Sequence, residues 1–156
     1  MTLTEKCSAE IINIIENHME YYSNISDETA SVNLSEDKWS LKEIIGHLID
    51  SASNNHQRMV RLQTEKIIEF PGYHFSWNKI QKINSMKYSD ILQLWKYYNI
   101  LLAHIIKNTS RETLANIWDN GQEKFTFEKI ITWYISHMKD HLQLFKERYA
   151  EINTIK

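Results

Sequence analysis

Three histidines, His47, His137 and His141, carry the strongest chemical pattern in this sequence. His137 and His141 are four positions apart, so on a helix they differ by about 40° in direction and both imidazoles lean toward one point. Each of the three stands among apolar residues at helical spacing. His47 lies with Ile44, Leu48 and Ala52, and the pair lies with Ile130, Tyr134, Leu142 and Phe145. A buried imidazole needs partners for both ring nitrogens. Three neutral imidazoles with a coordination position left open suit Zn²⁺, and leave Ni²⁺, Fe²⁺ and Co²⁺ as alternatives. The competing reading is ordinary core or interface histidines, because an i, i+4 pair alone arises readily by chance among seven histidines. The other four rank lower: His18 and His104 read as helix-surface or boundary residues, His56 falls off the line of His47, and His74 lies in a loop.

A site of this kind also needs groups that hold a substrate. Asn54, Asn55 and Arg58 follow His47 at close to two and three helical turns and line one wall of the same expected cavity. Arg58 is the candidate for a bidentate grip on a substrate carboxylate, with Asn55 beside it, against the alternative of a solvent-facing arginine. Asp50 and Asp140 each follow a candidate ligand by three residues, the right angle for a second contact behind the imidazoles.

The elements that must position these groups are helices. Ile11, Ile12, Ile15, Met19 and Tyr22 give a first helix from about Thr4 to Tyr22, followed by a polar connection from Ser23 to Lys38. Ser40 with Glu43 forms a capping-box signature, preceded by Trp39 as a hydrophobic staple. A second helix therefore runs from about Leu41 to Lys66, with Leu41, Ile44, Ile45, Leu48, Ala52, Met59 and Leu62 facing inward. Gly46 inside it points to close helix approach or room beside a ligand. The aperiodic aromatic segment Phe70 to Lys82 is expected to lie as a lid over one end. Tyr88, Ile91, Leu92, Trp95, Tyr98, Leu101, Leu102, Ile105 and Ile106 mark a third helix from about Ser85 to Asn108. After a turn-rich connection around Trp118, read as a core aromatic, Thr126 caps a fourth helix ending near Tyr149. Four long amphipathic helices with long middle connections make an all-α four-helix bundle the expected fold.

The bulk properties agree. The 156 residues fit one domain spanning 1–156, and three glycines with a single proline are too few for a turn-rich β fold. Lys plus Arg number 18 against 20 Asp plus Glu, a balance that argues against nucleic acid or an anionic membrane surface as partner. Cys7, the single cysteine, cannot form an intrachain disulfide, so a reducing cytoplasm is the expected compartment. No long apolar run marks a membrane span.

The stretch Lys38 to Ala52, with its Trp-led helix start and His47–Leu48–Ile49–Asp50, resembles the DinB/YfiT-like superfamily. Thr126 and the stretch His137–Met138–Lys139–Asp140–His141–Leu142–Gln143 are similar to that family's paired histidines on the last bundle helix. The resemblance implies an up-down-down-up bundle, His47, His137 and His141 as ligands of a divalent metal (Zn or Ni foremost), and a homodimer. It also implies thiol-dependent chemistry on a small-molecule substrate. The leading expectation is transfer of a low-molecular-weight thiol to a small electrophile, with metal-dependent hydrolysis or thiol-dependent isomerisation as alternatives. A non-catalytic metal- or ligand-binding stress protein is the reading from another class. No Asp or Glu stands out as general base, and the HExxH pattern of metallopeptidases is absent.

Overall fold

A computed structural model describes residues 1–155; of the expected 1–156 span, Lys156 lies outside the described residues. Four long helices dominate: α1 (Leu3–Ser23), α3 (Leu41–Arg61), α5 (Tyr88–Lys107) and α6 (Phe127–Ile155). Two short helices, α2 (Asp27–Ala30) and α4 (Trp77–Ile80), sit in the connections. So do three strands, β1 (Ile67–Glu69), β2 (Ile117–Asp119) and β3 (Lys124–Thr126), which pair in the order β1-β2-β3, parallel and then antiparallel.

The helices start where side chains can meet the free backbone N–H groups of their first turns. At α3, Ser40 Oγ accepts from Glu43 N while Glu43 Oε2 accepts from Ser40 N at 2.8 Å, the reciprocal box read in the sequence. Thr2 and Glu5 do the same for α1, and Thr126 Oγ1 accepts from Lys129 N at the start of α6. The inward faces are apolar: Ile11 and Ile15 from α1, Ile44, Ile45 and Met59 from α3, Ile91, Trp95 and Ile106 from α5, and Ile131 and Phe145 from α6 are all buried. Leu101, counted on the core face of the third long helix, is instead 42% exposed.

Contacts at the helix ends fix their directions. The Tyr88 hydroxyl at the start of α5 donates to Tyr22 O at the end of α1, so these two run antiparallel. Strand β1 follows α3, β2 follows α5, and the two pair in parallel, which brings both helices to an end at the same side of the bundle. Strand β3 leads straight into α6, which therefore starts at that side and runs back. The order is up, down, down, up, as the family resemblance implies. Helix α1 packs on α5, α5 on α3 and α3 on α6, with a thinner α1–α6 contact closing the ring.

Two boundaries differ from expectation. The second long helix stops at Arg61 rather than near Lys66, because Asn116 Nδ2 donates to Leu62 O at 2.7 Å and Ile117 N donates to Lys66 O at 2.8 Å. Carbonyls that continued helix would have claimed are taken by the sheet. The last helix continues to Ile155, past Tyr149, with Ile152 buried in the extra turns.

Gly46 is explained by a close approach. A Cβ there would lie 2.7 Å from Ile83 Cγ2 and 2.8 Å from Asn78 Oδ1, where the connection through α4 crosses α3. Asn78 pins that crossing by donating to Glu43 O at 2.9 Å. Alanine would gain about 1 kcal/mol of helix propensity, but forcing a methyl into this contact costs about 1–3 kcal/mol. Gly46→Ala should therefore lower stability in urea by up to about 2 kcal/mol; a raised midpoint would show that the contact is not tight.

Candidate metal centre

His47, in the second turn of α3, faces His137 and His141 in the middle of α6. Ring centroids lie 5.1 Å (His47–His137), 4.5 Å (His47–His141) and 4.4 Å (His137–His141) apart. One nitrogen from each ring falls within 4.8 Å of the other two. The Nε2 atoms of His47 and His137 are 3.2 Å apart. Two nitrogens on a tetrahedral cation at ~2.0–2.1 Å would stand about 3.3 Å apart, so this pair already has the spacing of shared ligation. Without a cation, one ring must donate its N–H to the other. Nδ1 of His141 is buried and has no hydrogen-bond partner among the described residues. A buried imidazole nitrogen left unmatched is costly, and a cation would relieve the crowding of nitrogens at this point. The donor set thus fits a divalent metal that prefers imidazole, Zn²⁺ or Ni²⁺ among them.

The electrostatics favour the ligand form. Burial pushes the His47 pKa down to about 3, helped by His141 and His137, and pushes His137 down to about 4, helped by His141 and opposed by Asp140. Burial lowers His141 as well, again opposed by Asp140. All three imidazoles are therefore neutral at pH 7, with lone pairs free for a cation. The Trp39 ring covers them, 4.8 Å from His47 and 6.1 Å from His141 by centroid. The expected staple residue is thus found against the histidines.

Behind His137 stands Ser51, whose Oγ lies 3.4 Å from Nδ1. With Nδ1–H donating to that oxygen, the Nε2 lone pair is turned toward His47. Asn55 Nδ2 donates to Ser51 O at 2.9 Å and to its Oγ at 3.3 Å. Ser51 was missed in the sequence, although it stands one turn after His47 on the same face. The two carboxylates expected behind the imidazoles do not hydrogen-bond to them. Both oxygens of Asp50 accept from Gln81 Nε2, at 3.0 and 3.1 Å, and burial raises its pKa. Asp140 is exposed and acts on the histidines only through its charge. Spacing of three put each carboxylate near the right angle, but Gln81, just past α4, captured one and solvent the other.

A cavity of about 320 Å³ adjoins the cluster, lined by His47, Ser51, Asn55, Arg58, Tyr134 and His137 among others. Gly72, Tyr73 and Phe75 cover it from the connection after β1, the aromatic segment expected as a lid. Asn55 and Arg58 both line it, whereas Asn54 turns away to donate to Asp50 O. Arg58 is 4% exposed; its Nη1 donates to Asn55 Oδ1 and its Nη2 to Pro71 O, each at 3.2 Å. Its guanidinium carbon lies 3.8 Å from the centroid of Trp118, the β2 residue expected only to fill the core. Trp118 does both: it is buried, and it forms part of the cavity wall beneath Arg58. The remaining histidines stay apart: His18 bonds Ile14 O, His56 bonds the Tyr98 hydroxyl, His74 bonds Ser76 and His104 is exposed.

The sequence profile of the DinB superfamily matches residues 15–145. Solved structures with this fold include two from Bacillus subtilis. YfiT from Bacillus subtilis, described as a probable metal-dependent hydrolase with an unusual four-helix bundle topology, superposes with a TM-score of 0.85 at 14% identity, covering 98% of this chain and 90% of that one. A DinB-like protein, YjoA, from Bacillus subtilis superposes with a TM-score of 0.66 at 16% identity, covering 97% of this chain and 92% of that one. No curated protein sequence matches the chain. No helix among the described residues is long and apolar enough to cross a membrane.

Proposed function

Because the chain belongs to the DinB superfamily, we propose that it is a divalent-metal-dependent enzyme in which His47, His137 and His141 hold the metal and a low-molecular-weight thiol is transferred to a small electrophile. The observation that carries this reading is the convergence of three neutral imidazoles at one end of a cavity large enough for a small molecule. Bound there, a divalent metal supplies Lewis acidity and favours the deprotonated form of a thiol or water at its open position.

The chain's own residues do the rest. Ser51 holds His137 in one tautomer, and Trp39 shields the imidazoles. Tyr73, Phe75, Trp118 and Trp133 give the cavity apolar walls, and Arg58, held by Asn55 Oδ1, offers N–H groups to orient the substrate. Among the described residues no Asp or Glu lines the cavity. A thiol, the more acidic of the two nucleophiles, can reach its deprotonated form at such a site without a carboxylate base, which is compatible with transfer.

The second reading is hydrolysis, favoured by the description of YfiT as a probable metal-dependent hydrolase. The two separate in one assay, in which metal-loaded and metal-free protein are given glutathione or cysteine with an activated aryl halide, and p-nitrophenyl acetate without thiol. Transfer predicts metal-dependent consumption of the halide only when thiol is present. Thiol-independent, metal-dependent ester cleavage would replace transfer by hydrolysis, and inactivity toward both would leave a binding protein.

A further inference from the structure

We propose that the substrate handled in this cavity is a carboxylate, whose acid group seats on Arg58 while its reactive centre faces the three histidines. The inference rests on the cavity being the reaction site and adds the class of molecule it takes.

Arg58 is almost wholly buried, yet none of the ion pairs among the described residues includes it. Its two hydrogen bonds go to neutral oxygens, the amide of Asn55 and the backbone of Pro71. A guanidinium carries five N–H donors, so three remain unused among the described residues, the buried Nε one of them. Burial lowers its pKa only to about 10, so it keeps its charge at neutral pH. A buried charge without a counter-ion is unfavourable unless something meets it. The face of Trp118 stabilises the cation, but it does not replace the oxygen acceptors that the unused N–H groups call for. A carboxylate can, two at a time. A helical tether between α3 and the lid would need only a neutral amide at this position.

The geometry also limits the ligand. Arg58 follows His47 by eleven residues, about 16 Å along the axis of α3, and a helical side chain leans back toward the N-terminus, shortening that span. The walls between are Tyr73, Trp118, Ile130 and Tyr134, which suit an apolar body. A molecule with its acid group and reactive carbon separated by a ring or short chain fits this arrangement.

The test uses 3-phenylpropionate and its neutral isostere 3-phenylpropanamide, titrated calorimetrically into metal-loaded protein. The acid should bind at least about tenfold more tightly than the amide, as expected for hydrogen bonds to a charged group. Arg58→Gln should abolish the preference and Arg58→Lys should keep part of it, both with unchanged metal content. Chelated native protein should retain the preference, which separates failure of this inference from failure of the metal centre and covers a glutamine variant that does not fold. Equal binding of acid and amide, no binding of either, or a preference that survives in folded Arg58→Gln or vanishes on chelation would overturn the proposal.

Discussion

His137→Ala is expected to purify folded, without metal, and without the thiol-transfer reaction. His137 is central to the cluster: its Nε2 is 3.2 Å from His47 Nε2, and its Nδ1 is the one imidazole nitrogen that meets Ser51. Loss of an orienting partner alone typically costs 10–100-fold in metal affinity, so loss of the ligand itself should exceed about 100-fold. Ser51→Ala then provides an internal scale and should weaken metal binding by about tenfold or more while leaving all three imidazoles in place. The fold should survive, because the bundle is held by buried side chains from all four long helices and by caps remote from residue 137. Metal content by elemental analysis and thermal unfolding read these outcomes separately. Equal occupancy in His47→Ala, His137→Ala and His141→Ala would remove the proposed ligand set.

Acid should destabilise the metal-free protein steeply. In the unfolded chain a histidine takes up its proton near pH 6.5, whereas in the folded chain His137 does so only at about 4 and His47 at about 3. Between those values the unfolded state binds more protons, so stability is complete above pH 6.5 and is lost as pH falls through this window. Each of the two contributes up to about 1.4 kcal/mol per pH unit, or about 2 kcal/mol each by pH 5. Asp50, whose carboxyl is pushed up by burial, works in the opposite direction and reduces the net loss at the acid end. Urea midpoints measured from pH 7 to pH 5 should fall, and His47→Gln should make the dependence shallower. A flat profile, or one unchanged by that substitution, would mean that the imidazoles are not held neutral by burial.

What could be read from residues alone follows the range of the interactions involved. The cap of α3 was legible because Ser40 and Glu43 are three residues apart and bond each other. The α3 core stripe was legible because its period repeats over five turns. The three-residue strands were not, since so short a segment shows no alternation and the partners of β1 lie 50 residues away on β2. The same distance hid the early end of α3, where Asn116 and Ile117 capture the carbonyls of Leu62 and Lys66. Within the site, helical spacing brought forward His137, His141, Asn55 and Arg58. It could not reveal that Trp118 would stack on Arg58 across 60 residues, or that Gln81 would occupy Asp50 before an imidazole could.

Whether one cation sits among the three imidazoles is read by anomalous diffraction from crystals of protein purified without chelators or nickel resin. A single anomalous peak is expected about 2.0–2.2 Å from one ring nitrogen of each of His47, His137 and His141. Crystals soaked in Zn²⁺ or Ni²⁺ that show no peak there, with His47 and His137 still hydrogen-bonded to each other, would contradict it.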